Sequence, residues 1–164
     1  MKALVLPGYS PGNKVWADKV KESLGEEVVV IYWRHWTSGG TLSLKYETGI
    51  ILEKVGSEKV NFVAKSVGTF VCAKILPKIK NQVGKIILCG IPSTSEKRKE
   101  TYIKAFRSFP AKKIICFQNE NDPFTTFDEV KKFMREINSE IKVIKKERSD
   151  HDYPYLEDFQ KFLS

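Results

Sequence analysis

Short, almost wholly apolar runs alternate along this chain with longer segments whose apolar residues recur at helical spacing, and few folds accept both patterns together. The runs are Lys2 to Leu6, Val28 to Tyr32, Val60 to Val63, Lys85 to Cys89 and Ile114 to Phe117. A sixth, Glu140 to Lys145, alternates polar residues with Ile141 and Val143, as a strand near a sheet edge does. Between the runs lie helical patterns. Asn13 to Leu24 places Val15, Trp16, Val20 and Leu24 on one face before the stop at Gly25, and Ser43 to Val55, Thr69 to Leu76 and Glu96 to Phe106 follow. Two more helices carry Phe127, Val130, Met134 and Ile137, and then Leu156, Phe159 and Phe162. Strands that alternate with helices build a sheet covered on both sides. The expectation is one α/β domain over residues 1–164, three layers deep (α/β/α), around a six-stranded, mainly parallel sheet.

At 164 residues the chain buries a real core but has little room for a lid. No apolar run approaches the roughly 20 residues of a membrane span, and Met1 to Leu6 turns into Pro7-Gly8 too soon for a signal peptide, so no membrane partner and a cytoplasmic location are expected. Cys72, Cys89 and Cys116 stand alone inside apolar segments, a pattern of buried free thiols without zinc or disulfide spacing, so no metal is expected. The net charge of +8 comes with lysines spread over almost every expected surface segment, with no aromatic and basic module, so nucleic acid is not an expected partner.

In an open parallel sheet the reactive groups gather beyond the C-terminal ends of the strands. Ser66 is the most informative residue there. It lies in Ala64-Lys65-Ser66-Val67-Gly68, between a strand and a helix, with small residues two before and two after it. That is the layout of a nucleophile elbow, a sharp turn whose flanks must be small for strand and helix to approach. A serine hydroxyl needs a base to take its proton and the base needs a carboxylate to orient it. His151 follows the last strand and precedes the last helix, which suits the base; His35 sits after the second strand. Asp122 follows the fifth strand in an Asp-Pro turn and is the chosen acid, with Glu120 as the substitute; Asp150 and Asp152 flank His151, where adjacent side chains diverge.

The oxyanion formed by such a nucleophile needs two backbone N–H donors. Val67, after the nucleophile, supplies one, and the Gly8-Tyr9-Ser10 turn after the first strand supplies the other, with Tyr9 as first choice. Gly8, Ser10 and Lys65 are placed against substrate by their neighbours. Trp33, His35 and Trp36 either wall the substrate pocket or pack their loop onto the domain. Ser66 taken alone also reads as a helix N-cap, and Asp122 alone as an ordinary turn residue.

The arrangement resembles the α/β-hydrolase fold in a minimal, lidless form, and is most similar to small serine hydrolases of the retinoblastoma-binding-protein type. The residues that carry the resemblance are Leu6-Pro7-Gly8, Ala64-Lys65-Ser66-Val67-Gly68, Asn121-Asp122-Pro123-Phe124 and His151. It implies a Ser66, Asp122, His151 triad that hydrolyses small acyl esters or thioesters, without a cofactor. Ala64 stands where the fold usually has glycine, Lys65 where histidine or another polar residue is common, and Pro7 where many members have histidine. The Lys65 cation beside the nucleophile either favours anionic substrates or points to solvent.

Two other readings compete. A hydrolase-fold module with an idle triad would engage a protein partner instead of a small acyl substrate. A nucleotide-binding domain would need a glycine-rich phosphate loop, but Gly8-Tyr9-Ser10-Pro11-Gly12-Asn13-Lys14 has neither of the usual spacings, and Pro11 removes an amide donor.

Overall fold

A computed structural model describes residues 1–164. Its strands are β1 (Lys2–Leu6), β2 (Val28–Val30), β3 (Val60–Lys65), β4 (Val83–Cys89), β5 (Ile114–Asn119) and β6 (Lys142–Lys146). The helices are α1 (Asn13–Leu24), α2 (His35–Ser38), α3 (Leu44–Val55), α4 (Val67–Ile79), α5 (Glu96–Phe106), α6 (Phe127–Asn138) and α7 (Leu156–Leu163). The sheet runs β2-β1-β3-β4-β5-β6 and every pairing is parallel.

Alternation along each strand sends successive side chains to opposite layers. Leu4 and Leu6, Phe62 and Ala64, Ile86 and Leu88 pack under α3, α4, α5 and α6 with Val71, Ile75, Phe106 and Phe133. Val5, Val63, Ile87, Cys89 and Phe117 pack on the other layer, against Trp16, Ala17 and Val20 of α1 and Phe159 of α7. Each fully buried aliphatic or aromatic side chain contributes about 1.5–3 kcal/mol of transfer free energy. The three cysteines are free and buried, and burial pushes the Cys72 and Cys116 thiols up to about 12.

Local details depart from the sequence expectations for physical reasons. β2 ends at Val30 because only β1 flanks it: Ile31 N still donates to Val5 O at 3.0 Å, after which the chain leaves the edge to wind α2 inside the expected loop. Val15 is exposed, because α1 meets the sheet through Trp16, Ala17 and Val20. Phe127 is only partly buried at the start of α6, and the last strand begins at Lys142, with Ile141 buried ahead of it.

The strand order positions the site. The chain winds from β1 outward in both directions, so the loops after β1 and β3 leave neighbouring strand ends and diverge. Leu6 pairs with Ala64, Lys65 with Cys89, Cys89 with Phe117 and Asn119 with Lys146, which brings the four expected loops to one edge.

Candidate active site

Ser66 has φ 54° and ψ −123°, and it is the only non-glycine residue with positive φ. Such a conformation costs on the order of 1–3 kcal/mol and persists only where its surroundings hold it. Here Ser66 N donates to Cys89 O at 2.8 Å, while Ser66 O accepts from Thr69 N at 2.9 Å and Thr69 Oγ1 at 2.7 Å. The Thr69 hydroxyl is itself tied to the buried Tyr102 hydroxyl at 2.7 Å. Gly68 permits the turn, since a Cβ there would lie 2.1 Å from Leu6 O. The Ser66 side chain makes no capping hydrogen bond to α4, so it is not there as an N-cap.

Asp122, 3 % exposed, hangs from the end of β5. Its Oδ1 accepts Phe124 N at 2.8 Å, the side-chain-to-backbone turn expected around Pro123. Its Oδ2 accepts two hydrogen bonds of 2.6 Å, from His151 Nδ1 and from the Tyr153 hydroxyl. Burial pushes the carboxyl pKa up, but the bonds from His151, Tyr153 and Phe124 together outweigh it and hold the group below its ordinary value. A carboxylate only accepts, so the His151 proton sits on Nδ1 and the Nε2 lone pair is left free. Nε2 is buried and has no hydrogen-bond partner. The Asp122–His151 contact is therefore formed, while the Ser66–His151 hydrogen bond is not. In free enzymes that bond is commonly long and tightens when substrate binds.

The His151 loop is fastened by residues that sequence reasoning passed over. Asn119, buried at the end of β5, donates through Nδ2 to Asp150 O at 2.9 Å and Asp152 O at 2.7 Å, and it accepts the Tyr155 hydroxyl. Tyr153 OH accepts Asn119 N at 3.1 Å, and Trp16 Nε1 donates to Tyr153 O at 2.9 Å. Gly90 makes room for this loop directly after the Cys89 that binds Ser66: a Cβ at Gly90 would lie 2.5 Å from the Tyr153 ring and 3.0 Å from His151 Cε1. The exposed Phe124 ring covers His151 with centroids 4.5 Å apart. A buried polar residue at a strand end and a Gly-Ile-Pro after β4 were the only sequence signals for this layer.

Glu120 lies apart from the cluster, 3.5 Å from Lys145 Nζ, and is no substitute for Asp122. Asp150 is paired with Arg148 at 2.5 Å, and Asp152 faces the same guanidinium at 3.9 Å.

Trp33, His35 and Trp36, expected either to wall the pocket or to pack, pack onto the domain, with their ring nitrogens directed at the main chain after β1. Trp33, 1 % exposed, donates through Nε1 to Pro7 O at 3.1 Å and Gly8 O at 3.0 Å. His35 Nε2 and Trp36 Nε1 both donate to Tyr9 O, at 2.8 and 2.7 Å. Every peptide is trans, so the N–H after each captured carbonyl points the opposite way. The clamp thus turns the N–H groups of Gly8, Tyr9 and Ser10 away from the aromatic side chains. It is anchored from α3, where the buried Glu47 accepts Arg34 N at 2.8 Å. Val67 opens α4, where a helix leaves its first N–H groups unpaired. Gly8 also allows Asn13 to lie close: a Cβ would sit 2.5 Å from Asn13 Oδ1. Asn13 in turn donates to Ser10 O at 3.0 Å and Ser10 Oγ at 3.1 Å.

Lys65 is only 5 % exposed, so it is not a freely solvated surface cation. Its ammonium donates to Asn13 Oδ1 at 2.8 Å, and it lines a cavity of about 430 Å³ that also touches Ser10 and His151. No three His, Cys, Asp or Glu side chains gather where they could hold a metal ion, and no helix is long and apolar enough to cross a membrane.

Comparison with known proteins assigns the chain to a family. The serine hydrolase family model matches residues 3–151. This chain belongs to the serine hydrolase family. A YdeN-like hydrolase from Pectobacterium atrosepticum superposes with a TM-score of 0.70 at 15 % identity, over 98 % of this chain and 89 % of that one. A serine hydrolase without a lid from Xanthomonas campestris gives 0.69 at 15 % identity, over 99 % and 78 %. Est1E from Butyrivibrio proteoclasticus, solved with ferulic acid bound, gives 0.73 at 10 % identity, over 98 % and 87 %. These likenesses establish a minimal α/β-hydrolase fold. The narrower retinoblastoma-binding-protein type is not carried by them, and no curated protein matches the sequence.

Proposed function

We propose that this serine hydrolase cleaves small acyl esters or thioesters through an acyl-enzyme on Ser66. Ser66 Oγ attacks the carbonyl carbon and His151 Nε2 takes its proton. The imidazolium, held by Asp122, returns that proton to the departing alcohol or thiol; water then attacks the acyl-enzyme by the same route in reverse. The Val67 and Tyr9 N–H groups bind the oxyanion, and Trp33, His35 and Trp36 act on the reaction by holding the main chain that presents Tyr9 N–H. Gly8 and Ser10 border the substrate. The reaction as written needs no cofactor.

The observation that carries this reading is the bond of 2.6 Å from His151 Nδ1 to Asp122, which leaves Nε2 as a free, buried acceptor. The strained Ser66 turn at the same edge of the sheet has no capping duty to explain it. Without a lid, short acyl chains should be preferred.

The unmade Ser66–His151 bond favours a second reading, a protein-binding module whose triad is idle. Labelling with a fluorophosphonate probe separates the two. Wild type should label, Ser66→Ala should not, and His151→Ala should label far more slowly. A folded wild type that resists the probe would transfer the assignment to the binding module.

A further inference from the structure

Below His151, on the α1 side of the sheet, the cavity of about 430 Å³ is lined by Asn13, Trp16, Lys19, Lys65, His151 and Asp152 among others. Strand alternation at the end of β3 delivers Lys65 to this layer, opposite to Ala64. Its ammonium lies 5.4 Å from the Trp16 ring centroid and has a single acceptor, the neutral amide oxygen of Asn13 at 2.8 Å. An ammonium has three donors, so two are left without a protein acceptor. No carboxylate stands within 4.0 Å of it.

A buried cation without a counter-ion is costly, and proteins rarely keep one without a use. Burial pushes the Lys65 pKa down, opposed first by Asp152 at longer range. Asp152 is exposed and faces Arg148 instead. Two further features add positive potential, against the Asp152 carboxylate on the same lining. Lys19 contributes a second ammonium, and α1 begins here with no acidic residue in its first turn and no side-chain cap on its N-terminus.

We propose that this cavity receives a carboxylate carried by the substrate, with Lys65 as its principal partner and Lys19 at the mouth. The inference rests on the esterase reading above and names its substrate class. His151 lines the cavity and, in that reading, hands its proton to the departing alcohol, so the carboxylate belongs on the alcohol side of the ester.

The test compares two acetate esters of nearly the same shape and different charge, 4-acetoxybenzoate and the neutral 4-acetoxybenzamide. Their kcat/KM ratio is measured for wild type, Lys65→Met and Lys19→Ala. A charge-assisted contact predicts that Lys65→Met lowers the ratio of anionic to neutral ester by roughly 10- to 100-fold, and Lys19→Ala by a few-fold. A general loss of fold or activity would leave that ratio unchanged. A ratio that Lys65→Met does not move overturns the subsite while leaving the hydrolase reading intact. If wild type turns over neither ester, the esterase reading fails by itself. The subsite is then decided by titrating Ser66→Ala with 4-acetoxybenzoate and following the Trp16 indole N–H resonance. A saturable shift, weakened by salt and lost in the Ser66→Ala, Lys65→Met double variant, supports the subsite, and no shift overturns it. If Lys65→Met fails to fold, the Ser66→Ala titration decides with Lys19→Ala as the second substitution: a saturable, salt-sensitive shift weakened by Lys19→Ala supports the subsite, and no shift, or one that Lys19→Ala and salt leave unchanged, overturns it.

Discussion

Tyr153 donates its hydroxyl proton to Asp122 Oδ2 at 2.6 Å, on the same oxygen that receives His151 Nδ1. Burial and that carboxylate push the Tyr153 pKa far up, so the hydroxyl stays protonated and remains a donor.

Removing that donor should change pH dependence in one direction. The Asp122 pKa is held below 3.8 in the fold, so its contribution to stability is fully present above the unfolded value and is lost as pH falls through the folded one. In Tyr153→Phe the opposing burial stays while one stabilising hydrogen bond goes. The folded pKa rises, and the acid-side loss of stability begins at higher pH. A hydrogen bond to a charged group contributes about 1.5–3 kcal/mol, so a lower Tm at neutral pH is expected too. Thermal unfolding measured from about pH 3 to 6 checks this, and curves that superpose on wild type would remove Tyr153 from the account.

The strain at Ser66 makes stability and activity move apart. Glycine adopts φ 54° without the Cβ penalty, though it costs more backbone entropy on folding. Ser66→Gly should therefore gain about 1 kcal/mol while activity falls by about 10⁴-fold or more. Calorimetry beside an ester assay reads both. A variant less stable than wild type would mean that the serine side chain supports the turn in some further way.

Much of this architecture is legible in the residues themselves, because a strand buried on both faces must be apolar and an elbow must be flanked by small residues. The runs Ile86-Ile87-Leu88 and Ile114-Ile115-Cys116-Phe117 announce central parallel strands, and Ala64 and Gly68 announce the turn at Ser66. What stays hidden depends on contacts far apart in sequence. Trp33 and Pro7 are 26 residues apart, and nothing in Trp33-Arg34-His35-Trp36 shows whether its N–H groups face a ligand or a backbone carbonyl. Tyr153 lies 31 residues from Asp122, and a tyrosine two positions after a histidine has no signature of its own. The sequence leaves Lys65 between substrate and solvent, and strand alternation with the position of α1 is what buries it.

Gly90 should tolerate no side chain. Its φ is 61°, and an added Cβ would press on both Tyr153 and His151, at 2.5 and 3.0 Å. Gly90→Ala should lose about 1–3 kcal/mol from crowding and displace His151, so activity falls even at temperatures where the fold persists. Gly68→Ala is the comparison, with its Cβ 2.1 Å from Leu6 O on a rigid strand end. That contact is with backbone, and the loss of stability should be the larger of the two. Denaturant titration orders the pair, and equal values would mean that the elbow yields more readily than its geometry implies.

The aromatic clamp makes the last expectation. If Trp33, His35 and Trp36 hold Tyr9 N–H in place, loosening them should lower the rate of the chemical step more than the affinity for substrate. Losing an oxyanion donor outright costs about 10²–10³ in turnover. Trp36→Phe keeps a ring in a half-buried site but deletes one of the two donors to Tyr9 O, so a smaller loss in kcat, near tenfold, is expected with KM little changed. Trp33→Phe removes the donor to both Pro7 O and Gly8 O and should cost more. Residues that walled the pocket would behave in the opposite way, raising KM for bulky acyl groups and sparing kcat. Steady-state kinetics on acetyl and butyryl esters tells these apart, and a change confined to KM would return the three residues to the pocket wall.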